Sequence, residues 1–163
     1  MLHVLMVCTG NTCRSPMAEG LLKKKIRSEK MEDYMQVASA GLAVWQGCGP
    51  SEGAHRVMEA RGVNIVGHQA RQLTPQMVEW AHLILTMTRA HKAAVLAMAG
   101  EKKGQVFTLA EFAGKASDVA DPFGGSLSIY EHCACQMEEM IEKSWDKLAG
   151  LAGNMDLVEK SRE

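Results

Sequence analysis

The sequence predicts a single α/β domain with an open, doubly wound, mostly parallel sheet flanked by helices. Two observations predict this class. Short apolar runs of strand length alternate with segments in which apolar residues recur at helical spacing. The first run, residues 2–7, is apolar almost throughout, as expected of a parallel strand covered on both faces. Such alternation favours right-handed crossovers, which place helices on both faces of one sheet.

The first half of the chain is expected to contain two strands and three helices. The first helix is predicted over residues 16–29, with Ser15 as its N-cap and Pro16 at its first position. Its apolar residues recur at helical spacing: Met17, Leu21, Leu22 and Ile26. The remaining elements are a strand over 35–41, a helix over 51–61 that ends at Gly62, and a helix that begins at Thr74 and Pro75.

The second half is expected to contain two strands and two helices. A strand over 82–87 leads to a helix from Thr88 to Met98, and a short strand follows over 105–109. The last helix begins near residue 128. It presents one apolar face: Ile129, Cys133, Met137, Met140, Ile141, Trp145 and Leu148. The chain after Gly153 is polar, and we expect a frayed tail there.

Composition argues against several classes of partner. The formal net charge of −1 disfavours a nucleic-acid or membrane-surface protein. The apolar run at the N-terminus is too short to span a membrane and lacks the basic flank of a signal peptide. An odd number of cysteines fits a reducing compartment better than a disulfide framework: Cys8, Cys13, Cys48, Cys133 and Cys135. We therefore expect a cytoplasmic location and neither a nucleic-acid nor a membrane partner.

The loop after the first strand carries the main functional signal, in the sequence VCTGNTCRSPMAEG. The strand ends at Cys8, where ligands bind in open α/β sheets. The residues between Cys8 and Arg14 can form a concave nest of backbone N–H groups beside a helix N-terminus. Gly10 and Asn11 suit the left-handed backbone that a nest requires. Arg14 supplies a planar fork for two phosphate oxygens.

The loop is suited to bind a tetrahedral anion and to attack it with the Cys8 sulfur. The positive field should favour the thiolate form of Cys8, and Ser15 can donate its hydroxyl proton to that thiolate. A single cysteine at a strand end is more often a small buried hydrophobe. The placement of the whole Cys-x5-Arg-Ser-Pro pattern between strand and helix outweighs that alternative. A nucleotide-binding P-loop is excluded because the sequence has no G-x-x-x-x-G-K-[ST].

These motifs resemble those of a known family. VCTGNTCRSPMAE resembles the signature loop of the low-molecular-weight protein tyrosine phosphatases, and DPFGG (121–125) resembles their general-acid loop. SAG (39–41) and HQARQLT (68–74) fall where the family has similar segments. The resemblance covers roughly residues 2–149.

The resemblance implies a four-stranded parallel sheet, a phosphatase domain over residues 1–150 and a polar tail over 151–163. It implies that Cys8 is the nucleophile that forms a cysteinyl-phosphate, and that Arg14 clamps the phosphate. It gives Ser15 the role of thiolate hydrogen-bond donor and Asp121 that of general acid. The other loop residues implied to bind substrate are Thr9, Gly10, Asn11, Thr12 and Cys13. The polar residues that support the loop are Asn11, Ser39 and His68.

General chemistry independently favours an acid at Asp121. The leaving group of a phosphate ester or phosphoramidate departs poorly unless its oxygen or nitrogen is protonated. An acid must therefore face the nucleophile. An isolated Asp-Pro pair is more often a turn starter, but its combination with the Cys8 loop reverses that preference. We expect no cofactor and no metal, because Arg14 and the loop amides neutralise the phosphate charge. The remaining histidines are expected to be solvated or structural: His3, His55, His82, His91 and His132.

Two positions bear on the substrate. Thr12 stands where tyrosine-specific members usually carry isoleucine, and with DPFGGS it looks like the bacterial protein-arginine phosphatases, which cleave the P–N bond of phosphoarginine. Trp45 is either an aromatic wall for phosphotyrosine or plain loop packing. Phosphoarginine is therefore the favoured substrate and phosphotyrosine the alternative.

Three further hypotheses concern other roles of the loop. Thioredoxin-coupled arsenate reductases share a similar loop but need additional cysteines, and residues 49–132 contain none. A non-catalytic phosphoprotein-binding module would have no use for Cys8 and Asp121 together. Cys13 is close enough to Cys8 along the chain for a redox disulfide, with buried packing as its alternative role.

Overall fold

The structure is a computed structural model that describes residues 1–162. Four strands form one sheet in this range: β1 (Leu2–Cys8), β2 (Met35–Gly41), β3 (Leu83–Thr86) and β4 (Val106–Thr108). Their order is β2-β1-β3-β4, and every neighbouring pair is parallel. The predicted doubly wound parallel sheet is therefore confirmed. The carboxyl ends of β1 and β3, its central strands, define the edge at which the site is expected.

Six α-helices and one 3₁₀ helix lie within the described residues. The α-helices are α1 (Arg14–Ser28), α2 (Glu52–Glu59), α3 (Pro75–Trp80), α4 (Arg89–Ala99), α5 (Leu109–Phe112) and α6 (Leu127–Lys160). The 3₁₀ helix spans Gly100–Gln105. It and α5 were not predicted, since each is too short for apolar periodicity. Thr108 and Glu111 nevertheless form a capping box around α5, and that spacing is visible in the sequence.

The sheet divides the core into two clusters. Side chains of β1 alternate between them: Val4 and Met6 pack with α1, α2 and α6, whereas Leu5 and Val7 pack with α3 and α4. Both faces of β1 are therefore buried, which explains its nearly continuous apolar sequence. Burial on both faces fixes the register of β1 and hence the position of Cys8 at its end.

Ser15 is not the N-cap of the first helix. The helix begins at Arg14, its N-cap position is Cys13, and no side chain caps it. The Ser15 hydroxyl lies 2.9 Å from Cys8 Sγ and accepts a hydrogen bond from Asn11 Nδ2 at 2.8 Å. The prediction failed because this hydroxyl bonds to groups in the loop instead of a free helical N–H.

The last helix is longer than predicted. It runs through residue 150 and ends at Lys160, so most of the segment expected to fray is helical. An Asp156–Lys160 pair at 2.7 Å and contacts of Met155 with the core accompany this extension. Ile129, expected on the buried face, is 51 % exposed. Within residues 1–162, no helix combines the length and the apolar character needed to cross a membrane.

Candidate active site

The loop between β1 and α1 forms the floor of a pocket of about 230 Å³. Its lining combines this loop with the segment before α6: Cys8, Thr9, Gly10, Thr12, Cys13, Arg14, Asp121 and Phe123. The sheet edge therefore brings together the thiol, the guanidinium and the carboxylate that the sequence predicted. Asp121 is 107 positions from Arg14 in the chain, and only the fold places them together.

The carbonyl groups of the loop point away from the pocket. The Cys8 and Thr9 carbonyls accept hydrogen bonds from the backbone N–H groups of Leu42 and Ala43, both at 3.0 Å. The Thr12 carbonyl accepts one from Ser51 N at 2.9 Å. Because the C=O and N–H of a trans peptide point in opposite directions, the N–H groups that follow these carbonyls face the concave side. The loop is thus a cradle of N–H donors suited to an anion.

Asn11 occupies the centre of the loop and is fully buried. Its backbone is left-handed, with φ of 55°. Its side-chain amide donates to Ser15 Oγ at 2.8 Å and to Ser39 Oγ at 3.0 Å. Its side-chain carbonyl accepts from Arg71 N at 3.0 Å. The side chain therefore connects the loop to α1, to β2 and to the segment after His68.

The hydrogen bonds from Asn11 determine what Ser15 does. Ser15 Oγ accepts the Asn11 amide, and its single proton is directed to Cys8 Sγ at 2.9 Å, in preference to Ala40 O at 3.5 Å. The backbone N–H of Asn11 also donates to Cys8 Sγ at 3.3 Å. Two donors thus converge on the buried sulfur.

A further set of polar contacts supports the loop from behind. His68 Nε2 lies 2.7 Å from the Asn11 carbonyl, so Nε2 carries the proton and donates it. Ser39 Oγ donates to Glu19 at 3.3 Å, and Arg71 Nε donates to the Ser39 carbonyl at 2.9 Å. Ser39 and His68 therefore lie where the sequence predicted, whereas Glu19 and Arg71 were not predicted.

Arg14 and Asp121 face each other across the pocket. The Arg14 guanidinium is buried, and its Nη1 donates to the Val119 carbonyl at 3.0 Å. Its Nη2 lies 3.7 Å from Asp121 Oδ2. The Asp121 side chain is 55 % exposed, and its other oxygen accepts from Phe123 N at 3.1 Å. One terminal nitrogen of the guanidinium is thus anchored by backbone, while the other lies within ion-pair distance of Asp121 on the pocket side.

The second cysteine of the loop is buried below the pocket. Cys13 Sγ donates to Ser51 Oγ at 3.2 Å and lies 3.4 Å from the Tyr130 hydroxyl. Burial, together with the bond to Cys13, raises the pKa of Tyr130 to about 12. Burial also raises the pKa of the nearby Cys133 thiol to about 12, so Cys133 stays protonated and unreactive at neutral pH.

Three aromatic residues can now be placed relative to the pocket. Trp45 is 86 % exposed and does not line the pocket. Phe123 lines it with 73 % of its surface exposed, although the sequence analysis assigned it no role. His91, expected to be solvated or structural, is buried with Nε2 2.8 Å from Thr9 Oγ1. No local motif marks His91, because its partner lies 82 positions away.

A second concavity has a larger volume than this pocket. A groove of about 730 Å³ is lined by His68, with Glu19, Lys23, Arg27 and Arg71 among its other lining residues. The smaller pocket is the candidate site because it contains the thiol and the carboxylate. Within residues 1–162, no three His, Cys, Asp or Glu side chains are grouped so that they could hold a metal.

Fold and site together define a cysteine-dependent phosphatase, with a thiol held in an anion cradle at the end of a parallel strand. The family model described as low molecular weight phosphotyrosine protein phosphatase matches residues 3–154. The chain belongs to this low-molecular-weight phosphatase family and is a phosphatase.

Relatives of two descriptions match the chain. A protein-arginine-phosphatase from Geobacillus stearothermophilus is 37 % identical over 147 residues, which is 90 % of this chain and 95 % of that protein. A probable low molecular weight protein-tyrosine-phosphatase from Ralstonia nicotianae is 36 % identical over 143 residues, 88 % of this chain and 90 % of that protein.

Solved structures match as well. The YwlE arginine phosphatase in a cysteine-to-serine form with a phosphorylated active-site serine superposes with a TM-score of 0.86 at 34 % identity. That match covers 91 % of this chain and 96 % of the other. The YwlE arginine phosphatase from Geobacillus stearothermophilus gives a TM-score of 0.80 at 33 % identity, with 100 % and 98 % covered.

Asn11 variants test whether this residue sets the shape of the loop. We expect both Asn11→Ala and Asn11→Gly to lower stability and activity, because each buried partner left unpaired costs about 1–3 kcal/mol. Alanine should be the worse variant, since its left-handed backbone costs roughly 1–2 kcal/mol more than that of glycine. Urea unfolding and phosphatase assays measure both effects. An unfolding midpoint of Asn11→Ala equal to that of the wild type would contradict this account.

Proposed function

We propose that this protein is a protein-arginine phosphatase that hydrolyses the P–N bond of phosphoarginine through a cysteinyl-phosphate intermediate. The observation that carries the proposal is one pocket in which Thr12 and Asp121 lie with Cys8 and Arg14. The relative named protein-arginine-phosphatase, aligned over 90 % of the chain, supports it. Phosphorylated proteins are the proposed substrates, and the cytoplasm, where thiols stay reduced, is the proposed location.

The first step transfers the phosphoryl group to sulfur. The Cys8 thiolate attacks phosphorus, an S–P bond forms, and the P–N bond breaks. Asp121 gives its proton to the departing guanidino nitrogen, so arginine leaves as its ordinary guanidinium cation. Arg14 and the loop N–H groups hold the three equatorial oxygens, where negative charge is spread. Ser15 stabilises Cys8 as the thiolate before attack.

The second step hydrolyses the intermediate. The Asp121 carboxylate removes a proton from a water molecule, and the resulting nucleophile attacks phosphorus as the S–P bond breaks. Inorganic phosphate leaves, Cys8 returns to the thiolate, and Asp121 returns to the acid. Both steps need a carboxyl group in the same pocket as the sulfur, and Asp121 lines the pocket with Cys8.

Thr12 is the proposed determinant of substrate choice. Its side chain lines the pocket beside the cradle. A threonine offers a methyl and a hydroxyl to a planar, cationic guanidinium, whereas isoleucine offers only hydrocarbon and occupies more of the same space. A guanidinium left unpaired against isoleucine loses hydrogen bonds, and a phenol ring does not.

Phosphotyrosine is the second candidate substrate. The exposed ring of Phe123 at the pocket edge favours it, because aromatic side chains stack on phenol rings. The arsenate reductase hypothesis is not favoured, because residues 49–132 have no further cysteine. A non-catalytic binding module would not hydrolyse p-nitrophenyl phosphate, and that assay separates it from both phosphatase hypotheses.

Variants of the nucleophile and the acid test the mechanism. Cys8→Ser is expected to abolish turnover and still bind vanadate, because serine keeps the loop shape but stays protonated. Asp121→Asn should slow turnover by about 10²–10⁴-fold on a substrate with a poor leaving group. Cys48→Ser, at an exposed thiol outside the pocket, is the matched control and should retain full activity. Near-normal turnover by Cys8→Ser would rule out the covalent mechanism.

A variant of Thr12 tests the substrate preference. Thr12→Ile should lower kcat/KM on phosphoarginine and raise the ratio of phosphotyrosine to phosphoarginine turnover at least about tenfold. Thr12→Val replaces the hydroxyl by a methyl group at nearly the same volume, so it separates the loss of polarity from the gain of volume. A parallel fall of kcat/KM on the two substrates would show that Thr12 has a structural role alone.

A Cys8–Cys13 disulfide is proposed as a reversible oxidation state. The exposed side of the pocket gives peroxide access to Cys8, and sulfenic acid condenses with a nearby thiol. We expect peroxide to inactivate the wild type reversibly and Cys13→Ser irreversibly. Mass spectrometry of the oxidised protein should find a peptide that links the two residues. Overoxidised Cys8 without that linked peptide would contradict the proposal.

A further inference from the structure

We propose that His91 is a positioning residue that holds the Thr9 hydroxyl at the rim of the pocket, where Thr9 forms a polar contact with the leaving group. The inference rests on the proposed function, since a guanidinium is the leaving group that makes this contact valuable. Thr9 is exposed and lines the pocket next to Cys8. His91 belongs to α4, on the other side of the sheet edge, and is only 7 % exposed.

The position of His91 is fixed from both ends. Its backbone N–H donates to Thr88 Oγ1 at 3.1 Å, in the cap that begins α4. Its ring nitrogen Nε2 lies 2.8 Å from Thr9 Oγ1. A capped helix turn thus supports the ring, and the ring supports Thr9 without itself lining the pocket.

The surroundings keep the imidazole neutral. Burial lowers the pKa of His91, and the positive charge of Arg14 lowers it further, while Asp118 and Asp121 act weakly in the opposite sense. Within residues 1–162, Nδ1 is buried without a hydrogen-bond partner. A buried orphan N–H donor is rarer than an orphan acceptor, so the proton belongs on Nε2, which donates it to Thr9.

This tautomer defines what Thr9 offers to a substrate. With one lone pair engaged by His91, Thr9 Oγ1 keeps its own proton and a second lone pair on the pocket side. That lone pair can accept an N–H from a guanidinium bound above the cradle. A phenol ring presents no N–H donor there. The His91–Thr9 pair therefore favours a guanidino leaving group over an aromatic one.

The unpaired Nδ1 distinguishes this role from a structural one. A buried polar atom without a partner destabilises the fold, and an apolar side chain of similar size would not carry that cost. We therefore expect His91→Leu to unfold at the same Tm as the wild type or a higher one, while its substrate preference falls.

A double-mutant cycle tests the pair in the full-length protein. We compare His91→Leu, Thr9→Val and the double variant by kcat/KM on a phosphoarginine peptide and on p-nitrophenyl phosphate. Each single variant should lose about tenfold on phosphoarginine, with a smaller loss on the ester. The double variant should be no worse than either single variant within about twofold, because both remove one contact. His91→Gln, which can donate to Thr9, should recover most of the phosphoarginine activity.

Two controls separate positioning from folding. His55 also has a buried, unpartnered Nδ1 but lies in α2 outside the pocket, so His55→Leu should leave the ratio of the two activities unchanged. Vanadate affinity reports on the cradle itself and should change by less than about twofold in His91→Leu.

The inference is overturned if the effects of His91→Leu and Thr9→Val multiply, or if both activities and vanadate affinity fall together. Failure of the proposed function has a different signature. A wild type that hydrolyses the ester but not phosphoarginine refutes the proposed substrate. The double-mutant cycle measured on p-nitrophenyl phosphate then decides the inference. A double variant no worse than either single variant supports the His91–Thr9 pair, and losses of kcat/KM that multiply reject it.

Discussion

The site depends on one buried, left-handed asparagine. Asn11 turns the chain back on itself at φ 55°, and its side chain bonds to Ser15, Ser39 and the backbone of Arg71. Because Ser15 Oγ accepts from Asn11, its proton is available to Cys8. The shape of the cradle and the hydrogen bond between Ser15 and the Cys8 sulfur therefore have the same physical origin. An L-residue without the asparagine amide would lose both.

The remaining parts of the site come from distant segments that the sheet brings to one edge. The end of β1 supplies the thiol, the start of α1 supplies Arg14, and the segment before α6 supplies Asp121. Arg14 links two of these segments through its bond to the Val119 carbonyl. His91 links the loop to α4 in the same way, through Thr9. Polar side chains thus fix the position of the loop relative to each neighbouring element, while packing in the apolar core fixes the positions of the strands.

Much of this arrangement follows from the sequence, and the exceptions have physical causes. Apolar periodicity predicts the four strands and most helices. The sequence of the Cys8 loop predicts an anion-binding site that contains a thiol. The predicted capping role of Ser15 is wrong because capping is a local rule, whereas its predicted contact with Cys8 is present and is oriented by Asn11. The contact of His91 with Thr9 was missed because the two residues are 82 positions apart in the chain. The last helix was predicted, but its continuation to Lys160 was missed because the segment after Gly153 is polar and only a few of its residues, such as Met155, contact the core.

The central claim is that this pocket acts on phosphoarginine, and a direct comparison of substrates tests it. The reduced wild-type protein is assayed on two peptides of the same sequence, one with phosphoarginine and one with phosphotyrosine, and kcat/KM is measured for each. The account predicts a preference of at least about tenfold for phosphoarginine, since a site with polar groups for a guanidinium rejects a leaving group that cannot pair with them. Equal values, or a preference for phosphotyrosine, would contradict it.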